Sequence, residues 1–147
     1  MKGIDLSGTL YFESVIPPVA AADATVEFPI AYGSTAKGLN ASGIIIVPSA
    51  AVTGNDTNTK YLNIINYTAA ASGTELGHYD LATGSNLSAG IAVYIPIAAA
   101  TLAEDGMLTL QVEKVGSGVA LPPLRVLVAY TNQSQTHATQ GSVGAAT

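Results

Sequence analysis

Side chains that could do chemistry are sparse in this sequence, and His78 and Asp80 form the clearest pair. In the stretch GHYD they lie two positions apart, so on a β-strand they would share one face. A histidine beside a carboxylate can serve as a base with its orienting group, or as two ligands of a metal ion. The sequence offers no identifiable third ligand, and His137 lies in a segment of small polar residues. A hydrogen-bonded histidine near the end of a strand is therefore the preferred interpretation.

Other catalytic motifs are missing from the sequence. The chain has no cysteine, which excludes disulfides and thiolate chemistry. No serine stands in a G-x-S-x-G elbow, and the GSG at 116–118 lacks the lysine and the following helix of a phosphate-binding loop. Glu104 and Asp105 are neighbours in a predicted turn, where solvated carboxylates are expected. We therefore expect that the protein is not an enzyme and holds no cofactor or metal ion.

The chain is poor in charged residues, which make up 10% of the sequence against about 25% in an average soluble domain. The net charge is −5 and Lys and Arg together number 5. The sequence therefore offers no basic patch for a phosphate backbone, and we expect no nucleic-acid binding. No run approaches the ~20 apolar residues that cross a bilayer, and Asp5 and Glu13 interrupt any signal-peptide pattern. We expect no membrane partner and synthesis in a cytoplasm. The surface must either be covered with Ser, Thr, Asn, Gln and Ala or lie partly in contacts with other protein chains.

The elements that must position these residues are β-strands, because the dominant hydrophobic period is two. In TVEFPIAY the even-numbered residues from Val26 to Tyr32 would share one face, and Pro29 indicates a sheet edge or a bulge. About seven strands lie between residues 25 and 131, at a spacing that predicts an all-β, single-domain sandwich or barrel. Their sequences are TVEFPIAY, GIIIVPSA, KYLNIINYT, ELGHYDLA, GIAVYIPIA, MLTLQVEKV and LRVLVAY.

The two ends of the chain differ from the predicted body, residues 23–131. Residues 1–22 carry apolar side chains on one side of an extended pattern and continue into VIPPVAAA, whose prolines exclude a central strand. This N-terminal arm could be an extra edge strand of the same sheet or a segment that lies on a neighbouring subunit. Residues 132–147 have little to bury, so a flexible tail is expected. The candidate inter-subunit contacts in the arm are Ile4, Leu6, Leu10, Phe12, Val15 and Ile16.

A family resemblance rests on the stretch LAEDGMLTLQVEKVGSGVALPPLRVLVAY. A Gly follows an acidic residue, and then come a strand, a K-x-G-x-G-x-A-L-P corner and a closing V-x-V-x-Y strand. This pattern resembles jelly-roll head proteins of tailed bacteriophages, in particular the small capsid decoration, or cement, proteins. Over residues 25–131 the resemblance is one of general sequence pattern, and it is sharpest over residues 102–130. The residues that match it are Gly106, Gly116, Gly118, Leu121, Pro122 and Tyr130.

The resemblance implies an antiparallel jelly roll that associates, commonly as a homotrimer, on the outside of a mature phage capsid. Its partner there would be the major capsid protein, and an arm or loops would spread across subunit boundaries. The first hypothesis is accordingly a virion protein that stabilises the shell through residues 1–22, after synthesis in the host cytoplasm. The same fold occurs in head fibres and receptor-binding tips. The alternative is therefore a module that recognises host-surface glycans through loops 53–60 and 83–90, with Tyr67 and Tyr79 as candidate aromatic contacts.

Overall fold

A computed structural model describes residues 10–33, 39–68 and 73–132, with the side chains of Leu39 and Asn132 excepted. Ile4, Leu6 and the expected tail beyond Asn132 lie outside this part of the chain. The described residues form eight strands, and no helix among them is long and apolar enough to span a membrane. The strands are β1 (Leu10–Ile16), β2 (Val26–Tyr32), β3 (Leu39–Pro48), β4 (Thr59–Tyr67), β5 (Thr74–Asp80), β6 (Val93–Thr101), β7 (Met107–Val115) and β8 (Leu124–Asn132).

The strands form two antiparallel four-stranded sheets that pack face to face. The first sheet has the order β1-β8-β3-β6 and the second has the order β2-β7-β4-β5. Each sheet alternates strands from the two halves of the chain, so every hydrogen-bonded pair but β4–β5 is distant in sequence. Eight strands in two such sheets make a jelly roll. The prediction of an all-β antiparallel sandwich is confirmed.

The core lies between the sheets and explains the period of two in the sequence. On β3, β4, β7 and β8 the even-numbered aliphatic residues point inward and are fully buried. Each of these side chains contributes about 1.5–3 kcal/mol by leaving water. A slip of one residue in any strand would turn this set to the surface, which fixes the register. The inward residues are Ile44, Ile46, Leu62, Ile64, Leu108, Leu110, Val112, Val126 and Val128.

Strand β1 places part of the predicted N-terminal arm in the sandwich. It pairs with β8 from Leu10 opposite Tyr130 to Ile16 opposite Leu124. The ring of Phe12 stacks on that of Tyr130, with centroids 4.6 Å apart, and Ile16 is 2% exposed. Of the two alternatives for the arm, residues 10–16 follow the first, an edge strand of the chain's own sheet.

Strand β2 is an edge strand with a register shift between Pro29 and Ala31. Both features agree with the prediction from Pro29, which cannot donate a ladder hydrogen bond. The shift turns Ala31 into the core and leaves Tyr32 51% exposed. The prediction that Tyr32 shares the inner face with Val26 is therefore wrong, because a bulge inserts one residue into the alternation.

The end of the sandwich opposite to Leu10 and Asn132 is closed by loops that bond to one another. Short bridges join Val19 to Leu121 and Val52 to Leu87. Lys60, which is fully buried at the start of β4, donates from Nζ to the backbone oxygen of Asp23 at 2.8 Å. Burial lowers the pKa of this lysine because it penalises the charged form. Lys60 thus holds the β1–β2 loop against the core.

We expect Gly54→Ala to destabilise this loop-rich end by about 2 kcal/mol or more. A Cβ at position 54 would overlap the backbone oxygen of Ala82, and that backbone cannot move freely because Asn55 N donates to Leu81 O at 2.8 Å. Urea unfolding followed by circular dichroism measures the loss. Gly84→Ala is the control: its φ is 89° but no atom lies near the added Cβ, so a smaller loss is expected. Equal losses in both variants would contradict the overlap.

Candidate functional site

The outer surface of the first sheet is apolar, although a sheet face turned to solvent is ordinarily polar. The odd-numbered residues of β1 and β8 point outward there, and Ile45 lies between Leu127 and Tyr94 on neighbouring strands. Among these residues Val15 is 67% exposed, and Tyr11 and Tyr94 are 52% and 56% exposed. We call this surface the apolar face. Its residues are Tyr11, Val15, Ile45, Val47, Tyr94, Pro96, Leu127 and Ala129.

Charge on the apolar face is confined to one ion pair. Within β1, β3, β6 and β8 the charged residues are Glu13 and Arg125, and Arg125 Nε donates to Glu13 Oε1 at 2.8 Å. The hydrogen bond and the charge of Arg125 lower the pKa of Glu13. The pair cancels its own charge, so the face presents no net charge to a partner.

A recess of about 290 Å³ opens on the apolar face near the loop-rich end. Val15 and Val47 line it from the sheet. Pro48, the last residue of β3, and Pro123, just before β8, line it from the loop-rich end. The recess could accept one or two apolar side chains from a partner, since apolar pockets of this kind anchor protein interfaces.

The outer surface of the second sheet is polar and hydrogen-bonded. Asn63 Nδ2 donates to Gln111 Oε1 at 3.1 Å and to Glu113 Oε2 at 2.8 Å. Tyr67 Oη donates to Glu27 Oε2 at 3.0 Å, which raises the pKa of Tyr67. The two sides of the sandwich therefore offer different chemistry, one apolar and nearly uncharged, the other polar and acidic.

His78 and Asp80 share a face of β5, as their spacing predicts, but the nearer partner of the histidine is Glu75. The distance from His78 Nδ1 to Glu75 Oε1 is 2.6 Å, whereas Nε2 lies 4.0 Å from Asp80 Oδ2. Sequence reasoning missed Glu75 because a bulge opposite Ile64 and Ile65 turns it to the outer side. Gly77, a glycine inside a strand, was the signal that could have revealed the bulge.

The geometry around His78 is that of a surface ion pair. In the described ranges no group of three or more His, Cys, Asp and Glu side chains is arranged to hold a metal ion. The hydrogen bond to Glu75 is the main cause that raises the pKa of His78, and the charge of Asp80 acts in the same direction. A raised pKa means that the pair stabilises the fold below pH 6.5 and that this contribution is lost as the pH rises through the folded-state pKa.

We expect Glu75→Gln to lower the pKa of His78 toward that of a free histidine, because the largest cause of its shift is removed. Proton NMR of the imidazole Hε1 against pH measures it, and His78→Gln assigns the resonance among the two histidines of the chain. Asp80→Asn should have the smaller effect, since its carboxylate is farther from the ring. A larger effect of Asp80→Asn than of Glu75→Gln would contradict this geometry.

The two loops predicted to recognise glycans lie together at the loop-rich end, but they bond mainly to each other. Gly54 N donates to Asn86 Oδ1, and Thr83 N donates to Asp56 Oδ1, both at 2.8 Å. Asn55 Oδ1 accepts from two amides of its own loop. These amide and carboxylate groups therefore serve to fix the backbone of the loops.

The two candidate aromatic contacts are not in these loops. Tyr79 packs against the hydrophobic core from β5, so its ring is not presented as a surface platform. Tyr67 lies near the far end of β4, on the polar surface, with its hydroxyl on Glu27.

The predicted arm contacts divide between core and surface. Leu10 and Phe12 are half-buried, Ile16 is buried, and Val15 points outward on the apolar face. Deletion of residues 1–22 would remove an edge strand and a core side chain, so it cannot test partner binding separately from folding. Deletion of residues 1–9 leaves β1 whole and is the appropriate variant.

No protein-family model and no curated protein sequence matches the chain. Two solved structures have a slight likeness to it. The CBM22-1 and GH10 modules of Clostridium thermocellum endo-1,4-β-D-xylanase 10B, complexed with xylohexaose, align at 11% identity and a TM-score of 0.39, over 90% of this chain and 25% of that one. Infectious bursal disease virus, Gx strain, aligns at 14% identity and a TM-score of 0.28, over 87% and 37%. The chain thus spans about a quarter and about a third of these proteins, and at these TM-scores neither likeness bears on function.

Proposed function

We propose that this protein is a structural virion component that binds the outside of a phage capsid and stabilises the shell. The observation that carries the proposal is the apolar face, a sheet surface with Val15, Tyr11 and Tyr94 more than half exposed. Apolar surface patches of a few hundred Å² are often functional, and protein association is the use that we propose for this one. The occupant in this proposal is an uncharged, apolar surface of the major capsid protein, because the Glu13–Arg125 pair leaves the face without net charge.

The size of the apolar face supports attachment through several contacts at once. Four strands about 4.8 Å apart, with about six residues each at ~3.4 Å, cover ~400 Å². A stable interface covers about 800 Å² on each partner, so the face needs a second contact. Residues 1–9, which precede β1 at the edge of the same sheet and carry Ile4 and Leu6, are proposed to supply it. The homotrimer implied by the family resemblance would repeat both contacts around a threefold axis and multiply their effect.

We propose that this role involves no catalysis and depends on burial of apolar surface alone. The burial of apolar side chains between subunits contributes free energy by removing surface from water. Repeated over many copies, such contacts would hold neighbouring capsid subunits together. In this proposal the protein acts by making the capsid shell more stable.

Quantitative mass spectrometry of purified particles of the phage that encodes the chain tests this function. An abundance comparable to that of the major capsid protein is expected. A few copies per particle would instead indicate a tail or fibre component, and absence from the particle would overturn the virion role. Shells that assemble with the variant lacking residues 1–9 should bind fewer copies, while circular dichroism shows that the variant remains folded.

A further inference from the structure

The outer surface of the second sheet contains a compact group of side chains around the middle of β4 and β5. Tyr61 lies between Glu113 and Asp80 on the neighbouring strands, and Asn63 lies opposite His78. We call these five residues the polar patch. It lies on the opposite side of the sandwich from the apolar face, so a partner bound to that face leaves the patch accessible.

Asn63 forms the floor of the polar patch and offers an unused acceptor. It is 5% exposed although it points outward from the sheet, so the side chains around it rise above it. Its Nδ2 hydrogens are engaged by Gln111 and Glu113. The carbonyl oxygen Oδ1 has no partner among the described residues and is not one of the buried unpaired atoms. It is therefore an acceptor open to a ligand.

His78, which lies opposite Asn63 on the neighbouring strand, supplies the complementary atom. Its Nδ1 is held by Glu75 at 2.6 Å, while Nε2 lies 4.0 Å from Asp80, too far for a hydrogen bond. A ligand hydroxyl could donate to Asn63 Oδ1 and also bond to His78 Nε2, since a hydroxyl both donates and accepts. An amine or a guanidinium could only donate.

The charge of the surface restricts the ligand further. Glu75, Asp80 and Glu113 are carboxylates, whereas Lys60 and Lys114, the two lysines of these four strands, lie on the other face of β4 and β7. Lys60 is buried there, and Lys114 Nζ donates to Ala22 O at 3.2 Å. Anionic ligands would be repelled. Two of the carboxylates on this surface already accept from neutral donors, namely Glu113 from the Asn63 amide and Glu27 from the Tyr67 hydroxyl, while Glu75 is paired with His78.

We propose that the polar patch binds a neutral, hydroxyl-rich glycan. The half-buried ring of Tyr61 packs against one face of a sugar, and Asn63 and His78 form hydrogen bonds with its hydroxyl groups. Aromatic rings offer an apolar body beside a polar tip, which suits the mixed surface of a sugar. Carboxylates accept hydroxyl hydrogens in charge-assisted bonds. This activity does not require the proposed attachment to a capsid, and it places glycan recognition on the sheet instead of the loops.

A glycan array with neutral and sialylated oligosaccharides, followed by NMR titration of the full-length protein, tests the inference. Neutral glycans are expected to bind, with amide shifts concentrated on β4 and β5. Tyr61→Ala and His78→Ala should each weaken binding at least tenfold; His78 is exposed, so that variant keeps the fold. The matched control is Tyr94→Ala, which removes the same ring from the apolar face and should leave glycan affinity unchanged.

Three results would overturn the inference. They are no binding of any neutral glycan, binding of sialylated glycans in preference to neutral ones, and amide shifts confined to residues 53–60 and 83–90. A basic peptide that binds the polar patch while the neutral glycans do not would also overturn it. Attachment to capsids is measured separately and should be unaffected by Tyr61→Ala, so failure of one proposal does not imply failure of the other.

Discussion

Leu127→Glu is expected to weaken binding of the protein to undecorated capsids strongly while the domain remains folded. Leu127 lies at the centre of the apolar face, between Glu13 on β1 and Ile45 on β3. A carboxylate buried against an apolar partner loses its hydration without gaining a matched charge, and the Arg125 guanidinium beside it is already occupied by Glu13. The loss should be at least 100-fold in Kd, about 3 kcal/mol. Co-sedimentation of the protein with purified shells over a range of concentrations measures it.

The control for this variant adds the same charge to the second sheet, away from the apolar face. Thr74 is exposed at the start of β5, so Thr74→Glu should bind shells like the unaltered protein. If Leu127→Glu kept full affinity and an unchanged melting temperature, the apolar face would not be the capsid contact. If both variants lost affinity, general charge repulsion would replace burial as the explanation.

Leu124→Ala is expected to cost about 3 kcal/mol of unfolding free energy, whereas Leu127→Ala on the same strand should cost about 1 kcal/mol or less. Leu124 is 1% exposed between the sheets, so its removal leaves a cavity. Leu127 is half-buried and faces outward, where water fills the space. Guanidinium unfolding of both variants measures the difference, and a two-state domain of this size has about 5–15 kcal/mol in total.

This pair compares an identical substitution on the two faces of one strand. Val126 and Val128 share the inner face with Leu124, so the comparison tests the register of β8 as well as burial. Equal losses in the two variants would mean that Leu127 is covered in the free protein, for example within a homotrimer. Sedimentation velocity of the free protein would then show the oligomer.

The strands and their inward residues could be predicted from the sequence because burial between two sheets imposes a period of two. The alternation from Leu108 to Val112 is read directly in this way. Bulges are not visible in the same pattern, because they result from strand pairing. The bulge in β2 made the prediction for Tyr32 wrong, and the bulge in β5 is the reason that Glu75 was not predicted as the partner of His78. Pro29 and Gly77 carried the local signals for them.

The functional surfaces were harder to predict than the fold. A strand such as LRVLVAY has apolar residues on both faces, and the sequence does not say whether a second layer covers Leu127. The contrast between an apolar and a polar outer surface depends on which strands are neighbours. In the order β1-β8-β3-β6 those neighbours are distant in sequence; for example, Leu10 and Tyr130 are more than 100 residues apart. The polar patch likewise unites β4, β5 and β7, which no short motif connects.

The pairing of β1 with β8 brings the two ends of the described chain to the same end of the sandwich, since Leu10 lies opposite Tyr130. Cα atoms of such opposed residues are about 5 Å apart. A circular permutant that links these ends and opens the exposed turn at Gly84 would therefore keep every strand pairing intact. The same geometry makes the domain a scaffold for display, because cargo joined directly to Leu10 or Asn132 would emerge at the end away from the interlocked loops.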